Sequence, residues 1–226
     1  DTATITVNAS GQNDAPTAAD NTVTTNEDTN HTFAASEFNF TDVDGDSLDH
    51  ISIETLPSNG TLLLSGNAVS AGDQISVANI SNLVFRPVAN ANGDDYDTFT
   101  FSVNDGTVDS GTYTMTIDVT AVNDAPLATD DADAVNEDAT ITESSGSELL
   151  VADDTDTDGN TLTVTQIAIT GGSNSSVTSS TTYSNGTSIT GTYGTLTVGA
   201  NGSYTYVADQ SASDDLDASD LATDSF

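Results

Sequence analysis

The sequence predicts an all-β chain built from tandem antiparallel β-sandwiches. Three observations predict it: a long internal repeat, period-two alternation inside each copy, and turn-forming pairs between the alternating runs. Asn13-Asp14-Ala15-Pro16 returns as Asn123-Asp124-Ala125-Pro126, a period of 110 residues. Asn-Glu-Asp follows in both copies, at 26–28 and 136–138. An Asp-rich turn comes next, Asp42-Val43-Asp44-Gly45-Asp46 in the first copy. Its counterpart, Asp156-Thr157-Asp158-Gly159-Asn160, arrives four residues later, after a Ser/Gly insertion near 144–147.

Strands follow from the alternation. Thr98 to Val103, Tyr113 to Ile117 and Ser203 to Val207 alternate polar and apolar, the pattern of a strand with one buried face. Asn-Gly or Asp-Gly pairs at 59–60, 92–93, 105–106, 185–186 and 201–202 punctuate these runs and favour tight turns. Val77 to Asn82 is the one stretch expected to hold a helical turn. Thr2, Thr4 and Thr6 align with Thr112, Thr114 and Thr116, so residues 1–12 read as the last strand of a preceding repeat plus its linker. Residues 13–122 read as one complete domain. Asp224-Ser225-Phe226 aligns with Asp97-Thr98-Phe99, so 123–226 reads as a second domain cut before its last two strands.

Charge narrows the function. The chain carries 36 acidic residues and one basic residue, Arg86, for a formal net charge of −35. Nucleic acid and anionic membrane are polyanions, and no basic patch exists to meet them. Cations are the natural counterpart, because unscreened carboxylates repel and resist compaction. Of the 36 acids, 30 are Asp and 6 are Glu. Asp is the short carboxylate that suits turns and tight oxygen cages, so the bias points to loop-borne metal sites. The absence of cysteine excludes disulfides and thiolate sites. No apolar run approaches the roughly 18 residues that span a membrane.

Taken together, these motifs resemble the cadherin-like, Ig-like repeats of bacterial surface proteins. In the first copy the resemblance runs from Gly60-Thr61-Leu62 through Gly72-Asp73 and Leu83-Val84-Phe85-Arg86-Pro87 to Asp97–Gly106. In the second, Tyr193–Thr197 followed by Asn201–Tyr206 resembles the related VCBS repeat. The resemblance implies extender domains of a large repeats-in-toxin adhesin, exported by type I secretion to the bacterial cell surface. Such a chain is extracellular and not an enzyme. It supports cell adhesion or biofilm formation, with its neighbouring repeats as partners and the adhesion target bound by other domains.

The resemblance also implies Ca²⁺ at the domain junctions. Its ligands at the first full junction are Asp105 from the upstream domain, the Asn123 carbonyl, Asp124, Asp156, Asp158 and Asn160. Glu27 matches the first-strand glutamate of the pattern, and Glu137 its copy. Asp14, Asp42, Asp44 and Asp46 serve the preceding junction. Animal cadherins carry an acidic pair near the position of Leu83 to Arg86. This chain is apolar there with an Arg, so one or two ions per junction are expected.

Calcium suits such a set. It accepts six to eight oxygens at about 2.3–2.6 Å in irregular geometry, whereas magnesium demands a stricter octahedron and keeps its waters. Asp154 to Gly159 also opens like an EF-hand loop. Its twelfth position is Thr165 rather than Glu, and its flanks read as strand, which leaves a calcium loop of another kind.

Other classes find less support. His31 and His50 are isolated and lack Cys partners, so they read as surface or edge residues. Tyr183, Tyr193, Tyr204 and Tyr206 could line a sugar site, but alternate placement on strands suits packing. A ligand-binding module, either a calcium-dependent lectin or an ice binder, is the alternative. The Thr-x-Thr rows at 2–6, 112–116 and 161–165 would serve an ice face, yet Thr is an ordinary solvent-facing strand residue. An acidic halophile domain fits less well with the preference for Asp over Glu.

Overall fold

The computed structural model describes residues 5–8, 10–144, 150–217 and 220–226, and they form an all-β protein of several antiparallel sheets. The chain divides into two compact units, Asp1–Val122 and Asn123–Phe226. The strand expected near the N-terminus falls partly outside the described residues. Residues 5–8 are not in a strand, and Ile5 and Val7 are more than four-fifths exposed. Most of the Ser/Gly insertion also lies outside the described residues.

Among the described residues the first unit holds nine strands. They are β1 (Asn21–Asn26), β2 (His31–Thr32), β3 (His50–Ile53), β4 (Gly60–Leu64), β5 (Asn67–Ala68), β6 (Gln74–Ser76), β7 (Leu83–Pro87), β8 (Gly93–Asn104) and β9 (Tyr113–Thr120). One sheet has the order β1-β9-β8-β3-β6 and the other β2-β7-β4-β5. All pairings are antiparallel except that of β1 with β9, which is parallel from Asn21↔Met115 to Asn26↔Thr120. Alternation turns Phe99, Phe101 and Val103 of β8, and Met115, Ile117 and Val119 of β9, into the space between the sheets. There they meet Phe33, Ile51, Leu62, Leu83 and Phe85. Phe99 stands edge-on to Phe33 and Phe101 to Phe38, the arrangement that aromatic quadrupoles favour.

Val77–Asn82 forms the helical turn that its sequence suggests, as a 3₁₀ segment. A second 3₁₀ segment, Ala35–Phe38, is held by Glu37, whose carboxylate accepts the Ala34 amide at 2.8 Å. No periodic pattern announces so short an element.

The second unit holds β10 (Thr140–Glu143), β11 (Gln166–Ile167), β12 (Ser175–Ser176), β13 (Thr187–Thr190), β14 (Thr195–Val198) and β15 (Tyr204–Val207). Its sheet order is β10-β15-β14-β13, with β11 and β12 as a separate pair. A short 3₁₀ segment, Tyr183–Asn185, precedes β13. The turn at Asn201-Gly202, with Gly202 at φ +83°, joins β14 to β15. A smaller core forms from Ile167, Val177, Leu196, Val198, Ala200 and Tyr204. Beside it lies an open cleft of about 1180 Å³.

Two carboxylates, one buried and one half-buried, reinforce the strand entries in parallel fashion. Asp97 accepts the amides of Ser58 and Asn59, just before β4. Asp224 accepts those of Thr192 and Tyr193, just before β14. Any side chain on Gly60 would strike the Phe85 ring, and any on Gly194 the Tyr206 ring. The close approach explains why glycine stands at the start of β4 and just before β14.

Candidate metal centre

The Asp-rich turn of the first unit is built by its own side chains. Asp42 Oδ1 accepts the amides of Asp44 and Asp46 at 2.7 and 3.2 Å, the local side-chain-to-backbone bonding that makes Asp a turn residue. Gly45, at φ +85°, lets the chain reverse between them. The arrangement brings carboxylate oxygens of Asp42, Asp44 and Asp46 within 4.8 Å of one another. The linker residue joins the same group, because the Asp14 amide donates to Asp44 Oδ2 at 2.7 Å. A backbone bridge between Thr17 and Thr41 fixes the linker alongside.

Geometry tests whether these residues suit a cation. Asp42 Oδ2 is buried without a hydrogen-bond partner. A buried acceptor left without a donor is costly, and a cation removes that cost. Two unit charges about 4 Å apart repel by roughly 1 kcal/mol in water and about 4 kcal/mol near a protein surface. An all-oxygen group of three converging carboxylates is therefore the donor chemistry of a hard divalent ion, and the residues fit calcium.

The second unit repeats the turn and its tie to the linker, but among the described residues it brings no three carboxylates together. Asp158 Oδ2 accepts the Asp124 amide at 2.6 Å, and Asp156 Oδ1 accepts the Asn160 amide at 3.0 Å. Gly159 sits at φ +71°, and a bridge between Leu127 and Thr155 stands where Thr17 and Thr41 pair in the first copy. Asn160 replaces the third carboxylate, and its side-chain amide donates to Asn123 Oδ1 at 2.9 Å. Asp154 is occupied elsewhere, accepting the Thr129 amide at 2.8 Å.

Asp105 requires a correction. The sequence reading places it with Asn123 and Asp124. Instead Asp105 Oδ2 accepts the Asn13 side-chain amide at 2.8 Å, beside Asp14. The hairpin register explains why. β8 and β9 pair from Gly93↔Val119 to Phe101↔Tyr113, so the loop after Asn104 lies at the opposite end of the hairpin from Val122. Asp105 thus belongs to the end of its own unit that carries Asn13 and the Asp42–Asp46 turn. The Asn13 side chain, followed by the Val108 amide, holds its carboxyl below the usual range.

The two glutamates stand apart from these groups. Glu27 is buried at the Val122 end, where Oε1 accepts the Val122 amide at 2.6 Å and Oε2 the Asn92 side chain at 3.0 Å. The Val122 bond, then that from Asn92, holds its carboxyl below the usual range. Glu137 is exposed. The sequence offers Asn92 only as half of a turn-forming Asn-Gly pair, since only the folded loop before β8 brings it to Glu27. His31 lies 3.3 Å from Glu37 and His50 2.8 Å from Asp49, each beside one carboxylate. Tyr204 and Tyr206 donate to Asp133 and Asp224. Burial first, and the adjacent carboxylate second, push both phenols up.

Comparison with known proteins agrees with this architecture. Residues 13–118 match the sequence model described as a bacterial Ig domain, which spans the first unit from its Asn-Asp-Ala-Pro linker into β9. No curated protein and no solved structure matches the chain. A match to that family over residues 13–118, within an all-β chain, fits a surface-protein or adhesin module.

Proposed function

We propose that this chain is an extender segment of a bacterial surface adhesin, stiffened by Ca²⁺ bound where each linker enters its domain. The observation that carries the reading is the unpartnered Asp42 Oδ2 among converging carboxylates tied to the linker amide of Asp14. In the first unit Asp14, Asp42, Asp44, Asp46 and Asp105 would hold the ion; in the second, Asp124, Asp156, Asp158, Asn160 and the Asn123 carbonyl. A bound cation supplies positive charge that offsets carboxylate repulsion and draws linker and turn onto shared ligation.

The chain's own residues do the rest. The Asp14 and Asp124 amides pin each linker to its turn before any ion arrives. Gly45 and Gly159 hold the turns open to converging oxygens. Both units use β-sheets to carry load, and a long adhesin gains reach from linkers that do not swivel. Export by type I secretion and residence outside the cell belong to the same proposal. Calcium there is abundant enough for sites with dissociation constants of about 10⁻⁴–10⁻³ M.

Calorimetric titration with calcium and with magnesium, paired with small-angle scattering, tests the reading. Calcium should bind in the millimolar range or tighter, lengthen the distance distribution and sharpen it. Magnesium should do much less. Asp42→Asn with Asp44→Asn should abolish the first site, and Asp156→Asn with Asp158→Asn the second. Superimposable scattering in calcium and in chelator would reject the stiffened spacer.

A further inference from the structure

Acidic residues are abundant in this chain and almost all of them face water. Among the described residues, Glu27 and Asp97 are the buried carboxylates, 3% and 5% exposed. Asp97 secures the entry to β4. Among the described residues Glu27 bonds to no charged group, so its burial calls for another explanation.

Its position supplies one. Glu27 follows β1 directly, and its own amide donates to the Thr120 carbonyl at 2.9 Å, extending the parallel ladder with β9 by one bond. Its carboxylate then reaches two residues further along the same chain to the Val122 amide, at the short distance typical of a charge-assisted bond. One residue thus grips Thr120 through its backbone and Val122 through its side chain. Asn92, from the loop before β8, holds the other carboxylate oxygen and so fixes the rotamer. The linker Asn123-Asp124-Ala125-Pro126 begins at the very next residue.

We propose that Glu27 is a positioning residue for the linker, a latch that fixes the path of the chain as it leaves the first unit whether or not a cation is bound. Both of its oxygens accept a bond from the protein, one from Val122 and one from Asn92, so it orients the backbone with no ion bound. The inference deepens the extender reading, on which it rests for its purpose but not for its geometry. A linker anchored at Val122 has four residues left to bend, where one released at Thr120 would have six. Calcium then acts on a joint that is already half set.

The experiment is amide hydrogen exchange on the full chain in chelator, read at single residues. The Val122 amide should be protected without calcium. Glu27→Ala should speed its exchange by about tenfold or more, as loss of a charge-assisted bond implies. Glu27→Gln retains a carbonyl acceptor and should restore part of the protection, and Asn92→Ala should cost several-fold. Met115 and Ile117 amides in β9 report whether the unit stays folded. If Glu27→Ala unfolds it, Asn92→Ala and Glu27→Gln carry the test, and an unchanged Val122 rate in both overturns the proposal. Val122 protection that appears only when calcium is added overturns it as well. Absence of calcium binding by calorimetry would reject the extender mechanism while leaving the latch intact, so the two failures are distinct.

Discussion

The two units start from the same motifs and reach different degrees of closure. Both make the turn at Asn-Glu-Asp, with Asp28 and Asp138 near φ +60° and an Asn carbonyl accepting the amide three residues on. Both make the Asp-rich turn and tie the linker to it. In the first unit, β1 then pairs with β9 and Glu27 is buried. In the second, the matching residues 131–136 are outside any strand and Glu137 is exposed. The difference lies in the partner. The neighbour of β1 is β9, and the described residues of the second unit hold no counterpart of β9. Local sequence therefore makes the turns, while the first strand of a repeat and the burial of its glutamate depend on the last strand.

The largest test of that contrast is in the cores. Phe99 is fully buried between two closed sheets, so Phe99→Ala should cost the first unit about 3–5 kcal/mol. Leu196 packs in a smaller cluster that opens on the cleft, and Leu196→Ala should cost the second unit about 2–3 kcal/mol. Scanning calorimetry should show two transitions, the higher one belonging to the first unit and shifted only by Phe99→Ala. A single transition that responds to both substitutions would mean that the units do not differ in this way.

Much of this contrast can be read in the sequence, and the parts that cannot share a cause. The strands Thr98 to Val103 and Tyr113 to Ile117 stand where alternation puts them, within β8 and β9, and Ser203 to Val207 holds β15 from its second residue on. The helical turn at Val77 to Asn82 and the reversal at Gly45 and Gly159 also follow from local chemistry. Asp105 does not, because the end of the unit it occupies depends on hairpin register, and its neighbour Asn13 is 92 residues away in sequence. The grip of Glu27 on Val122 spans 95 residues. The loop holding Asn92 sits in an Asn-Gly pair that reads only as a turn. Thr161, Thr163 and Thr165, which look like a strand, lie in irregular chain just before β11.

Acid should separate the units by a smaller margin. Burial, the strongest influence on Asp224, pushes its carboxyl up. The Tyr206 hydroxyl and the amides of Tyr193, Thr192 and Gly194 together outweigh burial and hold it below the ordinary 3.8. A carboxylate whose folded pKa is depressed contributes stability that is present above the unfolded value and lost as pH falls through the folded one. The second unit should therefore lose melting temperature below about pH 4. Asp224→Asn should lower the midpoint at pH 7 and flatten that acid loss, since asparagine does not titrate. Near-ultraviolet circular dichroism follows it well, because Tyr183, Tyr193, Tyr204 and Tyr206 all lie in this unit. An acid profile unchanged by the substitution would assign the loss to other carboxylates.

The smallest expected effect addresses the last residue of the two Asp-rich turns, where one carries a carboxylate and the other does not. The first ends on Asp46 and the second on Asn160. Asn160 uses its side-chain amide to hold Asn123 Oδ1, so the second turn replaces a charge with a hydrogen bond to the linker. Asn160→Asp would reverse that trade. Without calcium, the new carboxylate would lose the bond to Asn123 and face Asp156 and Asp158, costing the second unit about 0.5–1.5 kcal/mol. With calcium, a third charge should raise affinity by about three- to tenfold, since ligand charge count tunes such sites. Asp46→Asn should do the opposite in the first unit. Melting curves in chelator and calorimetric titration of both variants give the two readings independently. If Asn160→Asp melts as the parent does in chelator and binds calcium no more tightly, then carboxylate count does not set the strength of these turns, and the equivalence drawn between them is one of backbone shape alone.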